Sequence, residues 1–271
     1  MRSRFCTAAV LTVLLAAPLS AELKYTMHIE AKPSTAAPSA PANPMMEMIG
    51  AIVASTMAPQ GGLELTVTVG NRGTRVEYAQ AYMIVPAGGV TLLTPAGEMI
   101  VLDPSKRTFW KMSKPDLSSL PGGGPTVTIK RTGQTETIGG IRAERAALEI
   151  HMPLPMSAGS QVPPGMPADI AMTGEVWLAP QYKQYAKTAA GLVGGVNVLG
   201  VDTIANEGFM MRSILRGELL GNRQIESTVT NVAEVAVPAS LFEIPAGFTE
   251  VPPPAGMSAT SASMPAAAPA R

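Results

Sequence analysis

Residues 63–80 read LELTVTVGNRGTRVEYAQ. Leu63, Leu65, Val67 and Val69 alternate with Glu64, Thr66 and Thr68, and a period of two puts the aliphatic set on one face of a strand and the polar set on the other. Gly70-Asn71-Arg72-Gly73 is turn chemistry, and the chain returns as a second strand through Thr74 to Gln80. This hairpin sets the fold class, because the same grammar continues on both sides of it.

Downstream, strands are expected at Val90 to Leu93, Glu98 to Leu102 and Arg107 to Met112, joined by Thr94-Pro95-Ala96-Gly97 and Asp103-Pro104-Ser105-Lys106. After the Gly/Pro break at 121–125, further strands read as Thr126 to Arg131, Gln134 to Ile138 beyond a Thr132-Gly133 turn, Arg142 to Met152, and Ile170 to Leu178. A short helix spans Pro180 to Ala190, ended by Gly191. Residues 191–201 are apolar but glycine-rich and receive no assignment. Met210 to Leu220 and Arg223 to Val235 form a last hairpin around Gly221-Asn222.

Upstream, Leu23 to Glu30 alternates in the same way, with Leu23, Tyr25, Met27 and Ile29 on one face. Residues 31–44 are a Pro/Ala/Ser loop. Asn43-Pro44 then opens a helix in which Met45, Met48, Ile49, Ile52, Val53 and Met57 recur at helical spacing, with Glu47 its one charge. A helix apolar on nearly all sides needs cover, and the sheet supplies it. The expected class is mainly β with some α.

The N-terminus carries Arg2 and Arg4, an uncharged run from Phe5 to Ala17 and the small-residue site Pro18-Leu19-Ser20-Ala21, the pattern of a secretory signal. The run falls short of the roughly 20 residues needed to span a bilayer. We therefore expect a cleaved leader over 1–21, a single domain over 22–250 and a disordered Pro/Ala-rich tail over 251–271, in a protein exported to the periplasm or the outer side of a bacterial envelope. The one cysteine, Cys6, lies in the leader, which removes disulfides, thiolate chemistry and lipoprotein acylation from the mature chain. Loss of Arg2 and Arg4 leaves 18 basic against 20 acidic residues, so nothing invites nucleic acid.

No nucleophile elbow, phosphate loop, dinucleotide fingerprint or zinc-binding H-E-x-x-H is present, so no catalytic, cofactor or metal residue is assigned and an enzyme is not expected. His28 and His151 fall on polar sides of strands, and Glu144 and Glu149 on opposite faces of theirs. The 17 methionines, with Met45-Met46-x-Met48 in one cluster, admit a copper(I) reading. Packing explains them better, since flexible thioethers fill irregular cores.

The motifs "VLDPSKRTFWKM", "GEVWLAP" and above all the closing Leu241-Phe242-Glu243-Ile244-Pro245-Ala246-Gly247-Phe248 resemble the DUF4412 family, itself similar to the LolA/LolB-like envelope proteins. The resemblance covers roughly residues 22–251. It implies a strongly curved antiparallel half-barrel with the apolar helix across its concave face, and a hollow for a lipid or acylated ligand. On that reading the lining comprises Met45, Met48, Ile49, Ile52, Val53, Trp110 and Trp177. The alternative is a structural protein with a self-filled core whose loops meet an envelope partner.

Overall fold

The computed structural model describes residues 21–34, 48, 50–51, 54–55, 58–59, 61–113, 125–153, 169–190, 201–217, 220 and 222–254. Twelve strands form one sheet: β1 (Ala21–Pro33), β2 (Leu63–Gly70), β3 (Gly73–Tyr78), β4 (Val90–Leu93), β5 (Glu98–Asp103), β6 (Thr108–Ser113), β7 (Thr126–Ile138), β8 (Ile141–Pro153), β9 (Asp169–Ala179), β10 (Phe209–Gly217), β11 (Arg223–Ala236) and β12 (Thr249–Glu250). Their spatial order is β12-β6-β5-β4-β3-β2-β1-β11-β10-β9-β8-β7. Two meanders run outward from a central pair, β1 and β11. Every pairing is antiparallel except β12 on β6.

Register shows which side chains share a face. Trp110 pairs with Val101, Val101 with Thr91, Thr91 with Val76, Val76 with Val67 and Val67 with Tyr25, one row across six strands. Met27, two residues on, pairs with Val229, and the same face continues through Ser227, Ser213, Val176 and Ala146. We call this the inner face. Leu23, Leu63, Val69, Val176 and Met211 are fully buried on it or at its edge, each contributing on the order of 2 kcal/mol relative to exposure.

Two helices lie here. A 3-10 turn at Pro180–Tyr182 leads into α1 (Lys183–Ala190), which buries Tyr185, Ala186 and Ala189. The Thr74 hydroxyl donates to the Thr188 carbonyl at 2.8 Å. A second helix, α2 (Val201–Glu207), lies beyond the glycine-rich stretch that gave no assignment. α2 touches both β10 and β7, three strand positions apart, so the sheet bends around it. Arg131 of β7 holds Glu207 at 2.8 Å and also pairs with Glu144.

Bulges set the bend. Asn231 and Val232 oppose Tyr25 alone, with Asn231 left-handed at φ 53°, and Met211 is the extra residue between the pairs Met210–Leu178 and Arg212–Trp177. The Thr132-Gly133 turn expected between two strands is a bulge inside the single strand β7, with the register slipping between Arg131 and Thr135. The chain reverses instead at Gly139-Gly140, both at positive φ, because two glycines suit a two-residue hairpin better than Thr-Gly. The sheet is open, with β7 at one edge and β12 at the other.

The outer face is sealed in two chemistries. Over β4–β6, Val90, Leu92, Ile100, Leu102 and Phe109 form a separate buried cluster, covered by Ile244 and Phe248 of the closing segment. That segment is fastened by the 3-10 turn Ala239–Phe242, by Arg75 donating to the Leu241 carbonyl at 3.2 Å, and by β12 beside β6. Over β7–β11 and β1 the cover is ionic: Arg212 reaches Glu136 and Glu226, Glu226 reaches Lys32, Lys32 reaches Glu30, and Arg145 reaches Glu175.

Of the helix expected over 45–57, Met48, Gly50, Ala51, Ala54 and Ser55 are described and helical. Gly50, Ala54 and Ala58, spaced four apart, are buried, while Ala51 is exposed and Met48 is 61% exposed. The described contact to the core is thus a small-residue edge. Residues 1–20 of the expected leader and the tail from residue 255 lie outside the described residues, while Ala21, expected as the last leader residue, is the first residue of β1. No helix among those described is long and apolar enough to cross a membrane.

Candidate ligand cleft

Where β1 ends and β11 begins, a cleft of about 480 Å³ opens between the sheet and the helical residue Ala51. Its walls are Ala31, Lys32, Pro33, Ala51, Leu220, Asn222 and Arg223. Ala31 pairs with Ile225 and Pro33 with Arg223, and odd positions of β1 face inward, so the floor of the cleft continues the inner face. Leu220 is buried and Ala31 packs against the main core. The Ser34 amide donates to the Asn222 carbonyl at 2.7 Å and closes the strand ends. The result is an open cleft of mixed lining, with Ala31, Pro33, Ala51 and Leu220 as its apolar part and Lys32, Asn222 and Arg223 as its polar part.

Deeper along the same face, Tyr25 and Phe209 meet edge to face at 5.1 Å, and Tyr182 adds a second edge contact to Phe209 at 6.3 Å. Burial pushes the Tyr25 hydroxyl far above the usual tyrosine range, so it stays protonated and neutral. The Tyr185 hydroxyl is also raised, first by desolvation and then by the Glu234 carboxylate. It donates to the Ala21 carbonyl at 3.2 Å and lies 3.4 Å from Glu234. These rings fill the space under α1 with the chain's own side chains.

The two tryptophans part company. Trp110 lies on the inner face, buried, and its indole Nε1 has no hydrogen-bond partner. Trp177 pairs with Arg212 and Arg145 and therefore lies on the outer face. There it is clamped between the Arg212 and Arg145 guanidinium groups, 4.8 and 5.7 Å from the ring centre. Its burial comes from cation–π stacking inside the ionic lattice. Of the remaining lining residues expected from sequence, Met48 is exposed, and the side chains of Met45, Ile49, Ile52 and Val53 lie outside the described residues. Arg223 and Leu220 were legible only as strand and turn residues of the last hairpin.

Other clusters have structural partners. His151 sits 3.1 Å from Glu149 and His28 3.9 Å from Glu30. His28 and His151 share the outer face but are separated by four strand steps, roughly 19 Å along the sheet. Glu144 and Glu136 are held by different arginines. Among the described residues no group of three His, Cys, Asp or Glu side chains is arranged to hold a metal ion. An outer recess of about 320 Å³ is lined by Glu64, Thr66, Arg75 and Glu77 together with Tyr78, Ala79, Val90 and Pro104, and its Arg75 and Glu77 are already paired at 2.7 Å.

Fold and cleft together define an open, single-sheet, mostly antiparallel β protein with short helices on one face and a cleft at the lip of that face. No protein-family model and no curated protein matches the chain. Solved structures do. An uncharacterized conserved protein from Thermus thermophilus is similar at 12% identity, with 86% of this chain and 91% of that chain covered and a TM-score of 0.42. The Mycobacterium tuberculosis lipoprotein LppX is similar at 12% identity, covering 79% and 87%, with a TM-score of 0.27. A LolA superfamily protein from Nitrosomonas europaea is similar at 8% identity, covering 83% and 91%, with a TM-score of 0.30. With every score below 0.5, the functional reading rests on this chain's own geometry.

Proposed function

We propose that this is an exported envelope protein of the DUF4412 and LolA-like kind that binds a lipid or acyl chain at the inner face of its half-barrel. The observation that carries the reading is the cleft of about 480 Å³ whose apolar walls, Ala31, Pro33, Ala51 and Leu220, lead onto the inner face. The leader-like N-terminus supports export, and the closing Leu241 to Phe248 motif supports the kinship.

Native mass spectrometry of the mature chain mixed with acyl lipids tests it. A stoichiometric adduct is expected, and Ala51→Trp, which places an indole in the mouth of the cleft, is expected to remove it while leaving the circular dichroism unchanged. Absence of any adduct from the unsubstituted chain would defeat the proposal.

The competing reading is a structural envelope protein without ligand. It draws on the Tyr25, Phe209 and Tyr182 cluster, which fills part of the inner face from within.

A further inference from the structure

The cleft has an electrostatic asymmetry that its apolar walls do not require. Two cations stand on its rim, Lys32 and Arg223. The Lys32 ammonium is countered twice, by Glu30 and by Glu226 at 3.0 Å, and these carboxylates hold its pKa above the usual lysine value. Its charge is spent within the outer ionic lattice. Arg223 differs. It is exposed, and among the described residues no carboxylate pairs with it.

Its placement is fixed by the sheet. Arg223 pairs with Pro33, and that register puts it on the inner face beside Ala31 and Ile225, while Lys32 and Gln224 point outward. Arg131, an inner-face cation on the edge strand β7, is by contrast occupied by Glu207 and Glu144. Arg223 therefore presents a planar, permanently charged fork at the lip of an apolar cleft, suited to a carboxylate or phosphate in a way a lysine is not.

Resting on the acyl-ligand reading, we infer that Arg223 selects the anionic headgroup of an amphiphile whose chain enters the cleft past Ala51 and Leu220. The ligand class is thus an acyl chain with a single-anion head, in preference to a neutral lipid of equal length. Because the site is open to water and salt, the expected selectivity is modest, about three- to fivefold.

The neutral dye 1-N-phenylnaphthylamine reports on the apolar cleft, and its displacement by dodecanoate, by dodecyl phosphate and by dodecanol reads the headgroup. The unsubstituted chain should favour both anions over the alcohol by the factor above, less so at high salt. Arg223→Gln should abolish the preference, so that both anions displace the dye no better than dodecanol does, and Arg223→Lys should retain part of it. A larger gain for dodecyl phosphate than for dodecanoate identifies a phosphate head as the better fit. Equal displacement by anion and alcohol in the unsubstituted chain, or a preference that survives Arg223→Gln, overturns the headgroup inference while leaving the acyl-ligand proposal standing. Failure of the dye and of all three competitors to bind overturns both.

Discussion

Replacing Glu226 by glutamine tests whether the outer ionic lattice stabilises the molecule. Glu226 is a hub: its Oε1 accepts from Arg212 Nε at 3.1 Å and its Oε2 from Lys32 Nζ at 3.0 Å. Its side chain is only 12% exposed. Burial works to raise its pKa, but the Lys32 hydrogen bond and the Arg212 charge outweigh this and leave it below the usual glutamate value. Glutamine keeps the shape and one acceptor but faces Lys32 with an amide and removes the charge between two cations. Two charge-assisted hydrogen bonds between partly exposed partners make the loss about 1.5–2 kcal/mol at neutral pH. A depressed folded-state pKa means the stabilisation is complete above the unfolded value near 4.5 and is lost as pH falls through the folded value. Urea unfolding followed by tryptophan fluorescence at pH 7.5 and at pH 3 reads both limits. The deficit of Glu226→Gln should be full at the first and largely gone at the second. An equal deficit at both would show that shape, not charge, is what the substitution disturbs.

Further outcomes follow from the faces and turns. Trp177→Phe should leave acyl-ligand binding unchanged in native mass spectrometry, because the ring lies on the outer face and away from the cleft; loss of the adduct would place the occupant on the outer face. Phe248→Ala should cost about 2–3 kcal/mol and raise binding of a hydrophobic dye, because it uncovers the cluster of Leu92, Ile100 and Leu102; unchanged stability would mean the closing segment is not a seal. Gly73→Ala should cost at least about 2 kcal/mol more than Gly97→Ala in chemical unfolding. Both glycines have positive φ, but a Cβ at Gly73 would come within 2.2 Å of the Leu93 carbonyl oxygen, whereas at Gly97 it meets nothing within 4 Å; equal costs would refute the steric account.

The strands were legible because one face of each is wet or differently packed: Leu23 to Ile29 and Leu63 to Val69 alternate cleanly, and burial follows the alternation. What alternation does not encode is pairing. The order that puts β1 between β2 and β11, and hence the separation of Trp110 from Trp177 onto opposite faces, depends on register across six strands or more. Both residues carry the same local signal, a large aromatic in a strand, and only the partners differ. Short helices were harder still. α2 follows a glycine-rich stretch with weak periodicity and owes its place to Arg131 and to burial of Ile204 and Ala205, which are tertiary effects. The cleft was invisible for a related reason: Ala31, Ala51 and Leu220 are ordinary singly and become a wall only when the first and last long strands meet.

That meeting has a kinetic consequence. β1 lies between β2, its neighbour in sequence, and β11, which comes near the far end of the chain. The middle of the sheet therefore stays open until nearly the whole polypeptide has been delivered, and the seal by Ile244 and Phe248 comes later still. Such long-range wiring slows folding. A chain that locks only on its last long strand remains threadable for most of its synthesis, a property that fits the export proposed above.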